Sequence, residues 1–214
     1  MLGVKRVAFM LLAAVLLEPD PALNSQNAQP PHRLARHWTE TKTETLWTTR
    51  YTNCDYGYYV LLDTGVVGHG THSPNPNHGF LVPLPDVGRT SEASDDEARF
   101  VFVDASYDVW EDTSLAGAVT EQEQIMTEIR SQSRIDDRKL AKLSGLRAIR
   151  STVESSSPNG AVVDEAIVAV RSGIVYTIGL HTTQQFRAVD EEQFKKILSG
   201  FSLLKLPRGE CSNG

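Results

Sequence analysis

Apolar and polar residues alternate most regularly from Ile174 to His181, where Ile174, Tyr176, Ile178 and Leu180 interleave with Val175, Thr177, Gly179 and His181. A period of two marks a strand with one face more deeply buried than the other. Upstream, Ala161 to Val170 is apolar apart from Asp164 and Glu165, and Ser172-Gly173 supplies the backbone freedom of a tight hairpin. Leu146 to Glu154 reads as a further strand, joined to the next through Asn159-Gly160, a standard reversal signal. Three adjacent antiparallel strands follow, and after them a helix. Asp190 and Gln193 have capping-box spacing, Val189 and Phe194 that of a hydrophobic staple, Phe194, Ile197, Leu198 and Phe201 form one apolar stripe, and Gly200 offers a left-handed stop to the helix.

The first half is less regular. Tyr56, Tyr58, Val60 and Leu62 alternate in a strand that ends at Asp63-Thr64-Gly65. From there to Gly79 the chain is dense in Gly, Pro, Asn and His and reads as a long loop. Short strands are predicted at Phe80 to Leu84 and Arg99 to Val103, separated by a polar loop over Arg89 to Glu97. Thr120 and Glu123 have capping-box spacing for a helix with Ile125, Met126 and Ile129 on its apolar side, ending near Arg134. Asp137 to Leu143 either extends that helix or forms a turn. This order favours an α+β fold, a central antiparallel sheet with flanking helices. Gly65, Gly68 and Gly70 do not form the G-x-G-x-x-G of a dinucleotide site.

Several stretches together resemble the PsbP/Mog1-like group of domains. They are Tyr51-Thr52-Asn53 with Tyr56-Gly57-Tyr58, Leu143-Ser144-Gly145-Leu146, Gly173-Ile174-Val175-Tyr176-Thr177-Ile178, and the helix from Phe194 to Phe201. The resemblance spans residues 51–204 and rests on order and pattern rather than a chemical signature. It implies a three-layer αβα sandwich and a non-enzymatic role in assembly or binding, and it supplies no catalytic residue. The histidine-rich loop departs from the group.

At 214 residues the length fits one domain, expected over 47–206. Lys5-Arg6, the apolar run Val7 to Leu17 and then Pro19 and Pro21 form the pattern of an export signal over 1–22, too short to span a membrane. A flexible leader is expected over 23–46 and a tail over 207–214. The predicted location is secreted or periplasmic, with membrane contact only through the export signal. A net charge of −6 with only short basic clusters gives no case for nucleic acid. Cys54 and Cys211 lie at opposite ends of the domain; export permits a disulfide between them, the alternative being a Cys211 left in the tail.

Candidate chemistry concentrates between Asp63 and His78. Asp63-Thr64-Gly65 and His69-Gly70-Thr71-His72 look like fragments of the subtilisin-like aspartate and histidine motifs. They are too close together, however, and no serine motif completes them. His69, His72 and His78 with Asp63 can instead form a zinc or copper site if the loop folds inward, against the simpler reading of a solvated loop. Asp164-Glu165 reads as a solvated pair, and His181 faces either core or solvent. Tyr56, Tyr58 and Tyr59 offer an aromatic interaction surface, although Tyr56 and Tyr58 share a face on which they can simply pack. The combined expectation is a non-enzymatic accessory protein, without a required cofactor, that binds a protein or peptide partner. The alternatives are a metal-binding or metal-sequestering protein and a metal-assisted hydrolase.

Overall fold

The computed structural model describes residues 45–70, 77–85, 98–107, 114–128, 132–158 and 160–205. The export-signal pattern, nearly all of the leader, His72, Asp95 to Glu97, Ile129, Cys211 and the 207–214 tail fall outside them. The chain divides into Met1–Thr41 and Lys42–Gly214, and every described residue belongs to the second unit.

Four consecutive strands form an antiparallel meander: β7 (Arg134–Leu143), β8 (Leu146–Ser157), β9 (Gly160–Arg171) and β10 (Ile174–Thr183). Its turns are tight. Ser144-Gly145 and Ser172-Gly173 have φ of 47° and 84°, and of 52° and 77°. Two consecutive positive values are what a two-residue hairpin following the strand twist requires. β10 also pairs with β6 (Phe100–Tyr107), beyond which lie β5 (Phe80–Pro83), β4 (Gly68–His69) and β1 (Leu46–Trp47), giving an eight-stranded sheet ordered β1-β4-β5-β6-β10-β9-β8-β7. A separate three-stranded sheet holds β11 (Phe201–Leu203), β3 (Tyr58–Leu61) and β2 (Arg50–Asn53) in that order.

The period of two in β9 divides its residues between two cores. Ala166 and Val168 face helix α1 (Leu115–Glu128), meeting Met126 and Val153, and Ala118 and Val119. Ile167 and Ala169 face the larger core, with Ile178 and Leu180 of β10, Tyr58 and Val60 of β3, and Phe194 and Ile197 of helix α2 (Arg187–Gly200). The central antiparallel sheet thus lies between two helices, a three-layer αβα arrangement. The three-stranded sheet shares the layer of α2. Burying Phe194 and Ile197 stabilises the docking of α2 by about 1.5–3 kcal/mol per side chain before ordering costs.

Several local expectations are corrected. Arg134–Leu143 is a strand: it borders the sheet, has only β8 as a neighbour among the described strands, and is exposed along most of its length, so no buried face imposes a period of two on its sequence. Helix α1 starts earlier than Thr120. The Ser114 hydroxyl accepts the Gly117 N–H at 3.0 Å, whereas Thr120 lies inside the helix and donates to the Ala116 carbonyl. Met126 is buried as expected, but Ile125 is 48% exposed and Glu123 is buried in its place. In α2, Asp190 sits within the first turn, its own N–H bonded to the Phe186 carbonyl, and Val189 is 65% exposed, so neither the cap nor the staple forms. Gly200 continues the helix without positive φ. A Cβ there would lie 2.2 Å from the Leu61 carbonyl oxygen, so glycine lets α2 approach β3.

Candidate functional site

The residues from Asp63 to His78 do not assemble as expected. Asp63 is exposed, and its carbonyl accepts the Val66 N–H at 3.0 Å. His69 is half-buried in β4, paired with Leu46 on one side and Leu81 on the other. His78 sits beside Tyr56, the rings 5.0 Å apart, and its carbonyl accepts the Tyr58 hydroxyl at 2.6 Å and the Ala105 N–H at 3.1 Å. Among the described residues no three His, Cys, Asp or Glu side chains converge on one point, so Asp63, His69 and His78 are not the predicted ligand set; His72 lies outside those residues. The separation between Asp63 and His69 arises because one follows β3 of the small sheet while the other enters β4 of the large one.

The tyrosines divide by strand alternation. Tyr58 is fully buried, stacked on Phe201 at 5.3 Å and edge-on to Tyr176. Burial pushes its hydroxyl well above the ordinary tyrosine value, with Tyr51 adding to the effect. Tyr56 is buried too, and its carbonyl accepts the Tyr176 hydroxyl at 2.8 Å. Burial removes both from the expected interaction surface. Tyr59 points the other way, onto the outer face of the three-stranded sheet. Its cross-strand neighbours are Thr52 and Ser202, and the Arg50 guanidinium lies 4.3 Å above its ring. Leu61, directly opposite Arg50, is 51% exposed. An aromatic ring, a stacked cation, two hydroxyls and an uncovered leucine thus share one sheet face.

The buried charges serve a different purpose. Arg99 donates through Nη1 to both Asp190 oxygens at 2.9 Å and through Nη2 to the Pro85 carbonyl, while Thr182 donates to Asp190 at 2.5 Å and Phe186 packs under the guanidinium at 4.0 Å. Glu123 accepts from Arg138 and from Ser151, joining α1 to β7 and β8. Glu165 is 1% exposed and paired with Arg150 at 2.5 Å, and Asp164 lies 2.5 Å from His181 Nδ1, so Asp164-Glu165 is not the solvated pair expected. His181 also stands 5.0 Å from the Phe100 ring, so the imidazole links β9, β10 and β6. Each of these groups fastens one element to another. Glu165 carried a signal, a carboxylate inside an apolar run; Arg99 and Asp190, 91 residues apart, carried none. Cys54 is buried and held in a disulfide.

No protein-family model matches this sequence, and no curated protein matches it. Some solved structures resemble it in part. One is the solution structure of cyanobacterial PsbP (CyanoP) from Synechocystis sp. PCC 6803, with a TM-score of 0.49, 16% identity, and coverage of 74% of this chain and 92% of that one. Another is a protein of unknown function from Pseudomonas aeruginosa, a putative regulator, with a TM-score of 0.46, 15% identity, and coverage of 59% and 82%. A third is LpqN, involved in cell envelope biogenesis of Mycobacterium tuberculosis, with a TM-score of 0.37, 12% identity, and coverage of 78% and 87%.

Proposed function

We propose that this chain is an extracytoplasmic, non-enzymatic accessory domain that binds a protein or peptide partner through the outer face of its three-stranded sheet. The observation that carries the reading is the Arg50–Tyr59 stack beside the uncovered Leu61. Tyrosine and arginine are the residue types that most often dominate interface energetics, and a stacked guanidinium keeps its N–H donors oriented for a carboxylate or a main-chain carbonyl. The export-signal pattern and the disulfide at Cys54 support an oxidising compartment. We take Cys211, the other cysteine of the sequence, as the partner of Cys54; peptide mapping without reductant identifies the linked fragments.

The binding test places a photo-crosslinking amino acid at position 59 in the native envelope environment. A discrete adduct that disappears with Leu61→Asp or Arg50→Ala, while circular dichroism stays unchanged, is the expected result. A crosslinking pattern indifferent to both substitutions overturns the assignment of this face.

A further inference from the structure

The outer edge of β7 lies at the end of the eight-stranded sheet, and no described strand pairs with it. The register shifts between Ile135 and Asp137, so the regular part of the edge begins at about Arg138. From there through β8 the sequence contains Arg138, Lys139, Lys142, Arg147 and Arg150 and no acidic residue until Glu154, in a chain whose net charge is −6. The register sets Lys139 opposite Arg150 and Lys142 opposite Arg147. Like charges directly opposed across an antiparallel pair are destabilising. Arg138, Lys139 and Arg150 are answered by Glu123, Asp137 and Glu165. Lys142 and Arg147 are exposed and have no ion pair among the described residues. Leu140, on the same face as Lys142, is 71% exposed.

We propose that the edge from Arg138 to Lys142 accepts an extended acidic segment of a partner protein as an added strand. Main-chain hydrogen bonds supply the affinity of such strand addition, and alternate side chains supply its selectivity. Carboxylates on the incoming strand relieve the repulsion between Lys142 and Arg147, and an apolar residue covers Leu140. A second copy of this chain brings the same cations to the same edge and is repelled, so the charges that protect β7 from self-association select an acidic partner. A nucleic acid or an anionic membrane answers the charge but makes no use of the main-chain edge. The site is separate from the Tyr59 face and stands or falls without it.

The test uses the full chain and a labelled, terminally blocked peptide of alternating glutamate and valine, followed by fluorescence anisotropy and amide hydrogen exchange. The expected results are saturable binding that weakens with salt, slowed exchange of β7 amides, and a loss of about tenfold with Lys142→Glu, which gives Arg147 an internal partner and leaves the fold intact. The variant Leu61→Asp binds the peptide as the parent does. Equal binding of a version with proline at alternate positions overturns strand addition, as does unchanged exchange in β7. Binding of anionic vesicles or duplex DNA in place of the peptide also overturns the proposal.

Discussion

Removing the Asp190 carboxylate strands Arg99, a guanidinium only 4% exposed, without its counter-charge. Breaking a buried pair from one side costs about 3–5 kcal/mol, so Asp190→Ala lowers stability by that amount in urea denaturation. Asp104 acts in the opposite direction. Burial raises its carboxyl above the ordinary value, only partly offset by nearby His78. Folding therefore favours its protonated form, and the contribution is present below the unfolded pKa and lost as pH rises through the folded one. Asp104→Asn accordingly raises the melting temperature at neutral pH, and the gain over the parent shrinks as the solution is acidified; a gain that grows on acidification contradicts the assignment. Little of this was legible beforehand. Asp190 has the spacing of a cap and Asp164-Glu165 that of a solvated pair, because a local pattern does not encode which distant strand arrives with an arginine or a histidine.

At the scale of elements, Gly200 separates helix propensity from packing. Inside a helix, alanine is favoured over glycine by about 1 kcal/mol. At this position the added Cβ meets the Leu61 carbonyl, and overpacking typically costs about 1–3 kcal/mol. Gly200→Ala therefore lowers the melting temperature, and a stabilised variant shows that α2 does not press on β3 as described. The elements read best in the sequence were β8, β9, β10 and α2, where opposite faces meet different environments. β7 escaped because most of it is exposed, and β1, β4 and β11 because two or three residues are too few to show a period. Within the candidate site, alternation did separate Tyr58 from Tyr59, but the burial of Tyr58 and the exposure of Leu61 show which of the two faces outward.

For the molecule as a whole, the α+β class and the two flanking helices follow from the order of patterns, whereas the three-stranded sheet does not. Its strands come from both ends of the domain, Arg50–Asn53 and Tyr58–Leu61 near the start and Phe201–Leu203 near the finish. No local signal announces such a union, and the loop between Asp63 and His78 looked more purposeful in isolation than it does beside the strands it connects. The outer face of that sheet, the site proposed for a partner, thus depends on residues contributed late in the chain. During synthesis β3 lacks its second neighbour until Leu203 has left the ribosome, and Tyr58 lacks the ring of Phe201. The nascent polypeptide therefore cannot close its main core until Phe201 to Leu203 have emerged, so the folding of the first strands waits on the last one.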